Sequence, residues 1–163
     1  MIIVFDVFQF FTLALLGLLA GALWAEGALL VPYWKTLKPD EFYRLHPEYA
    51  PRLFRFFAPI TALAPVLALA SACLAWYNQA EARWLSSLTA LLATSLVFIY
   101  FLYFKKTNLA FSRAAIAPVD LPGELNRWHN WHRLRVVICI LAFVCSIAVL
   151  FWPGYVFLFT GNE

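Results

Sequence analysis

The stretch NRWHNWHRLR, residues 126–135, holds two histidines, two tryptophans, two asparagines and three arginines. An uncharged run, VVICILAFVCSIAVLF, follows directly. Imidazole exchanges protons near neutral pH and guanidinium binds oxyanions, so this mixture suits proton transfer or anion recognition. The same residues anchor membrane helices, where aromatic rings sit at headgroup level. As an anchor, Trp128, His132 and Arg135 would form an interfacial belt and Asn108 would cap the preceding helix. Metal binding is the third use of such residues. His129 and His132 stand one turn apart on a helix, and with Glu26 and His46 they offer the mixed nitrogen and oxygen ligands a transition metal accepts. The doubled Glu-x-x-His helices of di-iron bundles are absent.

Glu26 is the other residue with chemical meaning. It stands nine positions before Lys35, roughly 13 Å along a helix, inside an otherwise apolar run. A carboxylate in hydrocarbon costs several kcal/mol unless paired, protonated or wetted, which makes a functional site the default expectation. Pairing with Arg133 or Arg135 would instead lock the helices together. The angular position of Glu26 points toward Ala22 and Leu30, opposite a stripe of small residues at Ala14, Gly17, Gly21, Ala25 and Ala28.

The elements that must position these groups follow from hydropathy. The chain has 163 residues, 64% of them hydrophobic and only 13% charged, far from the composition of a soluble domain. Four spans, at about 7–31, 56–78, 84–104 and 134–158, reach the roughly 20 residues that cross a bilayer. They use the whole length, so one transmembrane domain covering 1–163 is expected. The fold class is all-α, an integral membrane antiparallel four-helix bundle. The opening MIIVFDVFQF lacks the basic start of a cleavable signal.

Charge sets the orientation. Eleven of the twelve Lys and Arg lie in the joints after spans one and three or at the mouth of span four; Arg83 alone lies on the other side. That asymmetry predicts both termini on the non-cytoplasmic side of a membrane, expected to be a bacterial inner membrane. Anionic lipid accounts for the basic joints, so no nucleic-acid partner is implied. Trp76, Trp84 and Trp152 mark the outer boundary; Trp34, Trp128 and Trp131 mark the inner one. Cys73, Cys139 and Cys145 form no redox or zinc spacing and are expected to be buried structural thiols.

Local punctuation refines the elements. The small-residue stripe of span one predicts close approach by a neighbouring helix. Pro59 and Pro65 deprive the carbonyls of Arg55 and Thr61 of donors, which predicts a kink in span two. The turn NQAEAR makes spans two and three antiparallel neighbours. No Gly or Pro interrupts helix three before Pro118, and none interrupts helix four between PVDLPGEL and Pro153. Both are therefore expected to extend into the cytoplasm, with Asp120 as N-cap. The joint PDEFYRLHPEYAPRLFRFF reads as a short interfacial helix carrying Phe42, Leu45 and Tyr49.

The segment RWHNWHRLR places Trp128, His132 and Arg135 in a Trp-x-x-x-His-x-x-Arg pattern. With Asn108 in KKTNLAF and the first helix LLAGALWAEGALLVPYW, it resembles the anthrone-oxygenase-like family of small four-helix integral membrane proteins, over nearly the whole chain. Thr107 stands where that family usually has proline. The resemblance implies oxidation of a hydrophobic phenolic or polycyclic substrate by dioxygen with no dedicated organic cofactor. In such an enzyme His132 would be the general base, Arg135 the oxyanion partner, and Asn108 the orienting group. Glu26 would orient or protonate the histidine, while Trp128, His129 and Trp131 would contact substrate. The competing classes are a metal-binding oxidoreductase using Glu26, His129, His132 and His46, and a non-enzymatic accessory or assembly subunit. That subunit would bind a partner membrane chain, or a second copy of itself, through the glycine stripe. A transporter is disfavoured by the lack of an inverted repeat or discontinuous helices.

Overall fold

The computed structural model describes residues 2–152; Pro153 and the predicted end of span four, 153–158, lie outside them. Helix α1 runs Ile2–Ala25, passes through a π-helical turn at Glu26–Leu30 and ends as Val31–Thr36. Helix α2 is Pro39–Tyr77. Helix α3 runs Arg83–Ile99, passes through a second π-helical turn at Tyr100–Phe104 and ends as Lys105–Ser112. Helix α4 is Leu121–Leu150, and no strand occurs among the described residues. All four are long and apolar enough to cross a membrane. They form a ring in which α1 and α3 each pack against α2 and α4, an antiparallel membrane bundle.

A seven-residue seam sets which side of each helix turns inward. On α4 the buried residues Leu121, Leu125, Trp128, His132, Arg135, Cys139, Ala142, Ser146 and Val149 alternate four and three apart without a slip, the spacing that keeps one stripe on a neighbour. The Trp-x-x-x-His-x-x-Arg pattern is one section of that stripe. Helix α1 keeps the same rhythm through Phe5, Gln9, Thr12, Leu16, Leu19 and Leu23. Continued unchanged, it would turn Leu30 and Tyr33 inward. The buried residues are instead Val31 and Trp34. The π turn, closed by the Val31 amide donating to the Glu26 carbonyl, supplies the one extra residue that shifts the stripe. Tyr100–Phe104 does the same on α3 and turns Phe104 and Phe111 inward.

Helix α2 departs from this rule. Phe42 and His46 are buried, and so are Ala64, Pro65, Ala68, Ser71, Ala72 and Ala75, but nothing between 47 and 63 is. The segment expected to be a separate interfacial helix is the first part of α2. Its prolines, Pro47 and Pro51, fall within the helix, each removing an amide donor while keeping a helical φ. At 1.5 Å per residue α2 is about 58 Å long, roughly twice a hydrocarbon core. All four helices, rather than only the last two, continue into the basic end.

Two halves result. In the half away from the basic joints, Leu16, Leu19 and Leu23 of α1 fit against Ala64, Ala68, Ala90, Ala93 and Ala142. In the basic half the core is aromatic, built from Trp34, Phe42, Phe104, Phe111 and Trp128.

Several expectations change. The small-residue stripe of α1 faces outward: Ala14, Ala25 and Ala28 are exposed, and a Cβ at Gly21 would meet nothing within 4 Å. Turning the leucines inward buries more apolar area, which decides the rotation of the helix. Gly17 alone is crowded, by the Phe143 ring. Cys73 is exposed, while Cys139 is buried. Trp34 and Trp128, expected as boundary markers, are core residues at 3% and 2% exposure. Asp120 stands at the N-cap of α4, but its side chain makes no capping hydrogen bond.

Candidate functional site

Where α2 stands away from the seam, a cavity of about 510 Å³ lies between α2 and α3, with α1 and α4 as its floor. That volume falls in the roughly 300–1,000 Å³ range of small-molecule sites. Phe54 and Phe101 line it and are both more than half exposed. The cavity therefore opens sideways, through the bundle flank between α2 and α3. The chain closes again at its basic end. His46 Nδ1 lies 3.1 Å from Ser112 Oγ, and the Tyr43 hydroxyl donates to the Ile116 carbonyl at 2.6 Å.

The π turn of α1 puts Glu26 on the cavity floor, and that of α3 puts Tyr100 on its wall. Arg135, on the α4 seam, reaches the cavity although only 6% exposed. Its guanidinium lies over the Phe104 ring at 4.6 Å, and its Nε has no hydrogen-bond partner. Thr61 adds a buried hydroxyl that is likewise unpartnered. Pro65, four residues on, has no amide to offer the Thr61 carbonyl. Two buried polar groups, of Arg135 and Thr61, thus line the cavity with open valences, the condition in which a ligand or water completes the set.

His132 is fully buried behind this floor. Its Nε2 is 2.9 Å from the Leu23 carbonyl, which makes Nε2 the protonated nitrogen, and its Nδ1 lies 3.7 Å from Glu26 Oε2. The Trp128 ring stacks on it at 5.0 Å. Gly27 makes this approach possible, since a Cβ there would come within 3.1 Å of His132 Cδ2 and Nε2. Trp128 is held in turn by Asn108, whose Oδ1 accepts the indole Nε1 proton at 2.8 Å.

The predicted site residues therefore separate into groups. Glu26, Asn108, Trp128 and Arg135 meet on the cavity surface, with His132 directly behind Glu26. His46 also lines the cavity, but on α2 near Ser112. His129 and Trp131 do not line it. His129 Nδ1 sits 2.8 Å from Lys35 Nζ, and Trp131 stacks on Tyr103. The four candidate metal ligands are thus dispersed, and no group of three or more His, Cys, Asp or Glu among the described residues is placed to hold an ion. Glu26 forms no direct ion pair with Arg133 or Arg135 among the described residues; His132 Nδ1 lies near it at 3.7 Å, beyond hydrogen-bond reach. Asn108 lies within α3 and does not cap it. Thr61, Tyr100, Ser112 and Gly27 complete the site. A glycine next to a membrane carboxylate was the readable sign for Gly27, and a proline four residues on was the sign for Thr61.

A family model described as "Anthrone oxygenase" matches residues 51–145, more than half of the chain. No curated protein and no solved structure matches it.

Proposed function

The chain belongs to the anthrone oxygenase family, and on that premise we propose that it oxidises an apolar, phenol-related ring ketone with dioxygen, drawing the substrate sideways from the bilayer. The observation that carries this reading is the pairing of a carboxylate and an unsatisfied guanidinium, Glu26 and Arg135, on the floor of one apolar cavity.

In a cyclic ketone whose enol is a phenol, a ring CH2 is acidic because the resulting charge spreads onto oxygen. Glu26 takes that proton, being the carboxylate that lines the cavity together with Arg135. His132, first expected as the base, stands one layer back, where its unprotonated Nδ1 can share the proton once Glu26 has taken it. Arg135 faces the oxygen on which charge develops, a preorganised donor in a dry site. The electron-rich carbon then reacts with dioxygen, and the hydroperoxide loses water. One CH2 and one O2 become one C=O and one H2O, so atoms and electrons balance. Trp128, Phe57 and Phe101 supply flat apolar contacts, and Asn108 fixes Trp128.

The test is turnover of anthrone by the purified protein in lipid nanodiscs, followed by oxygen uptake and quinone absorbance. One O2 consumed per quinone formed, lost in Glu26→Gln, is the expected result. Wild-type rates no faster than empty nanodiscs would overturn the proposal. A second reading has one observation in its favour: the open Gly21 face of α1, which fits a partner helix in an assembly subunit. The distribution of Lys and Arg supports placing the basic end, and with it the Asn108–Trp128 side of the cavity, toward the cytoplasm.

A further inference from the structure

His46 and Ser112 stand at the opposite end of the cavity from Thr61 and Tyr100. Along α2 its lining begins with His46, passes through Ala50, Pro51, Leu53, Phe57 and Ala58, and meets a hydroxyl again only at Thr61. Along α3 its polar lining runs from Tyr100 through Lys105 and Asn108 to Ser112. These intervals are fifteen and twelve positions, roughly 22 Å and 18 Å at the helical rise. A volume of about 510 Å³ drawn out over such a length leaves a slot about one aromatic ring wide.

The end away from Glu26 carries an unused valence. His46 is 4% exposed and hemmed in by Trp34, Phe42 and Phe111. Its Nδ1 is taken by Ser112. Its Nε2 makes no hydrogen bond among the described residues, and His46 lines the cavity, so that nitrogen is the one left to meet a ligand. A ring nitrogen in a dry aromatic enclosure favours a neutral hydrogen-bonding group, since a bare charge would lose its hydration there.

We infer that His46 and Ser112 form a second recognition station, holding a hydroxyl on the outer edge of an elongated fused-ring ligand whose carbonyl lies near Arg135. The station rests on the cavity being the substrate site, and it narrows the substrate class. A ring system that is polar at one end alone leaves His46 Nε2 unpaired. One carrying hydroxyls toward both ends satisfies both stations.

Equilibrium binding tests this without turnover. Anthraquinone and a derivative hydroxylated on an outer ring edge are titrated into the full-length protein in nanodiscs, and quenching of Trp34 and Trp128 is followed. The wild type is expected to bind the hydroxylated quinone roughly tenfold more tightly, the worth of one buried hydrogen bond. His46→Phe removes that preference, the hydroxylated quinone then binding no more tightly than anthraquinone, while His46→Gln, which keeps an amide in place, restores part of it. Equal weakening of both quinones in His46→Phe would mean that His46 only ties α2 to α3, and would overturn the proposal. So would a wild type without preference, including one that binds neither quinone. Oxygenase activity plays no part in the readout, so the catalytic proposal can fail while this one stands.

Discussion

Each half of the bundle buries a polar cluster on the same seam, and the two are finished differently. In the alanine-rich half, Gln9 Nε2 donates to Ser146 O and Oγ at 2.9 and 3.0 Å, and Ser71 Oγ donates to Gln9 Oε1 at 2.7 Å. That carboxamide is fully used, and it ties α1, α2 and α4 together. In the aromatic half, Arg135 Nε, His132 Nδ1 and Thr61 Oγ1 have no hydrogen-bond partner. Gln9, Ser71 and Ser146 are enclosed by packed side chains, whereas Arg135 and Thr61 border the open cavity. Closure of the hydrogen bonds is what distinguishes a fastening from a binding site.

Substitutions can break or sharpen that contrast. The largest effect is expected from Glu26→Gln, which keeps the shape and removes the base; kcat/KM should fall about 10²–10⁴-fold with little change in thermal midpoint. Arg135→Met should cost about 10²–10³-fold in kcat. Replacing a buried, incompletely bonded charge by an apolar chain should leave the midpoint in nanodiscs unchanged or higher. In the other half the signs reverse. Gln9→Leu leaves Ser71 and Ser146 facing hydrocarbon and should lower stability by about 1–3 kcal/mol with kcat/KM intact. A similar activity loss there would erase the distinction between the halves. Gly27→Ala puts a methyl against His132 at 3.1 Å; turnover should fall roughly tenfold for about 1 kcal/mol of stability. Gly21→Ile, on the open face, should change neither quantity. If it instead dissociates an oligomer in a sedimentation measurement, the assembly-subunit reading gains.

Hydropathy made the four spans legible because the bilayer imposes length and polarity directly. The Trp128, His132 and Arg135 pattern was legible because its four-three spacing is the seam of α4. The depth of Glu26 was legible from its distance to Lys35. Rotation was harder to read. Small residues at Gly17 and Gly21 looked like a contact face, yet the leucines of the opposite face bury more area. The π turns left no composition signal, and each shifts the inward face by a residue, so Trp34 was read as a boundary residue and Tyr100 went unnoticed. His129, one turn from His132, looked like its partner, but it sits beside the seam and meets Lys35 instead. His46 was visible as a histidine, but its place on the cavity wall required knowing that the first joint continues as α2.

A doorway in the flank of the bundle also fixes the units in which supply is counted. On the proposed reading, substrate reaches it by diffusing within one leaflet, so the rate should follow substrate per lipid and not substrate per litre. Diluting the membrane with empty vesicles at constant total substrate would then slow the protein, although nothing in the aqueous phase had changed.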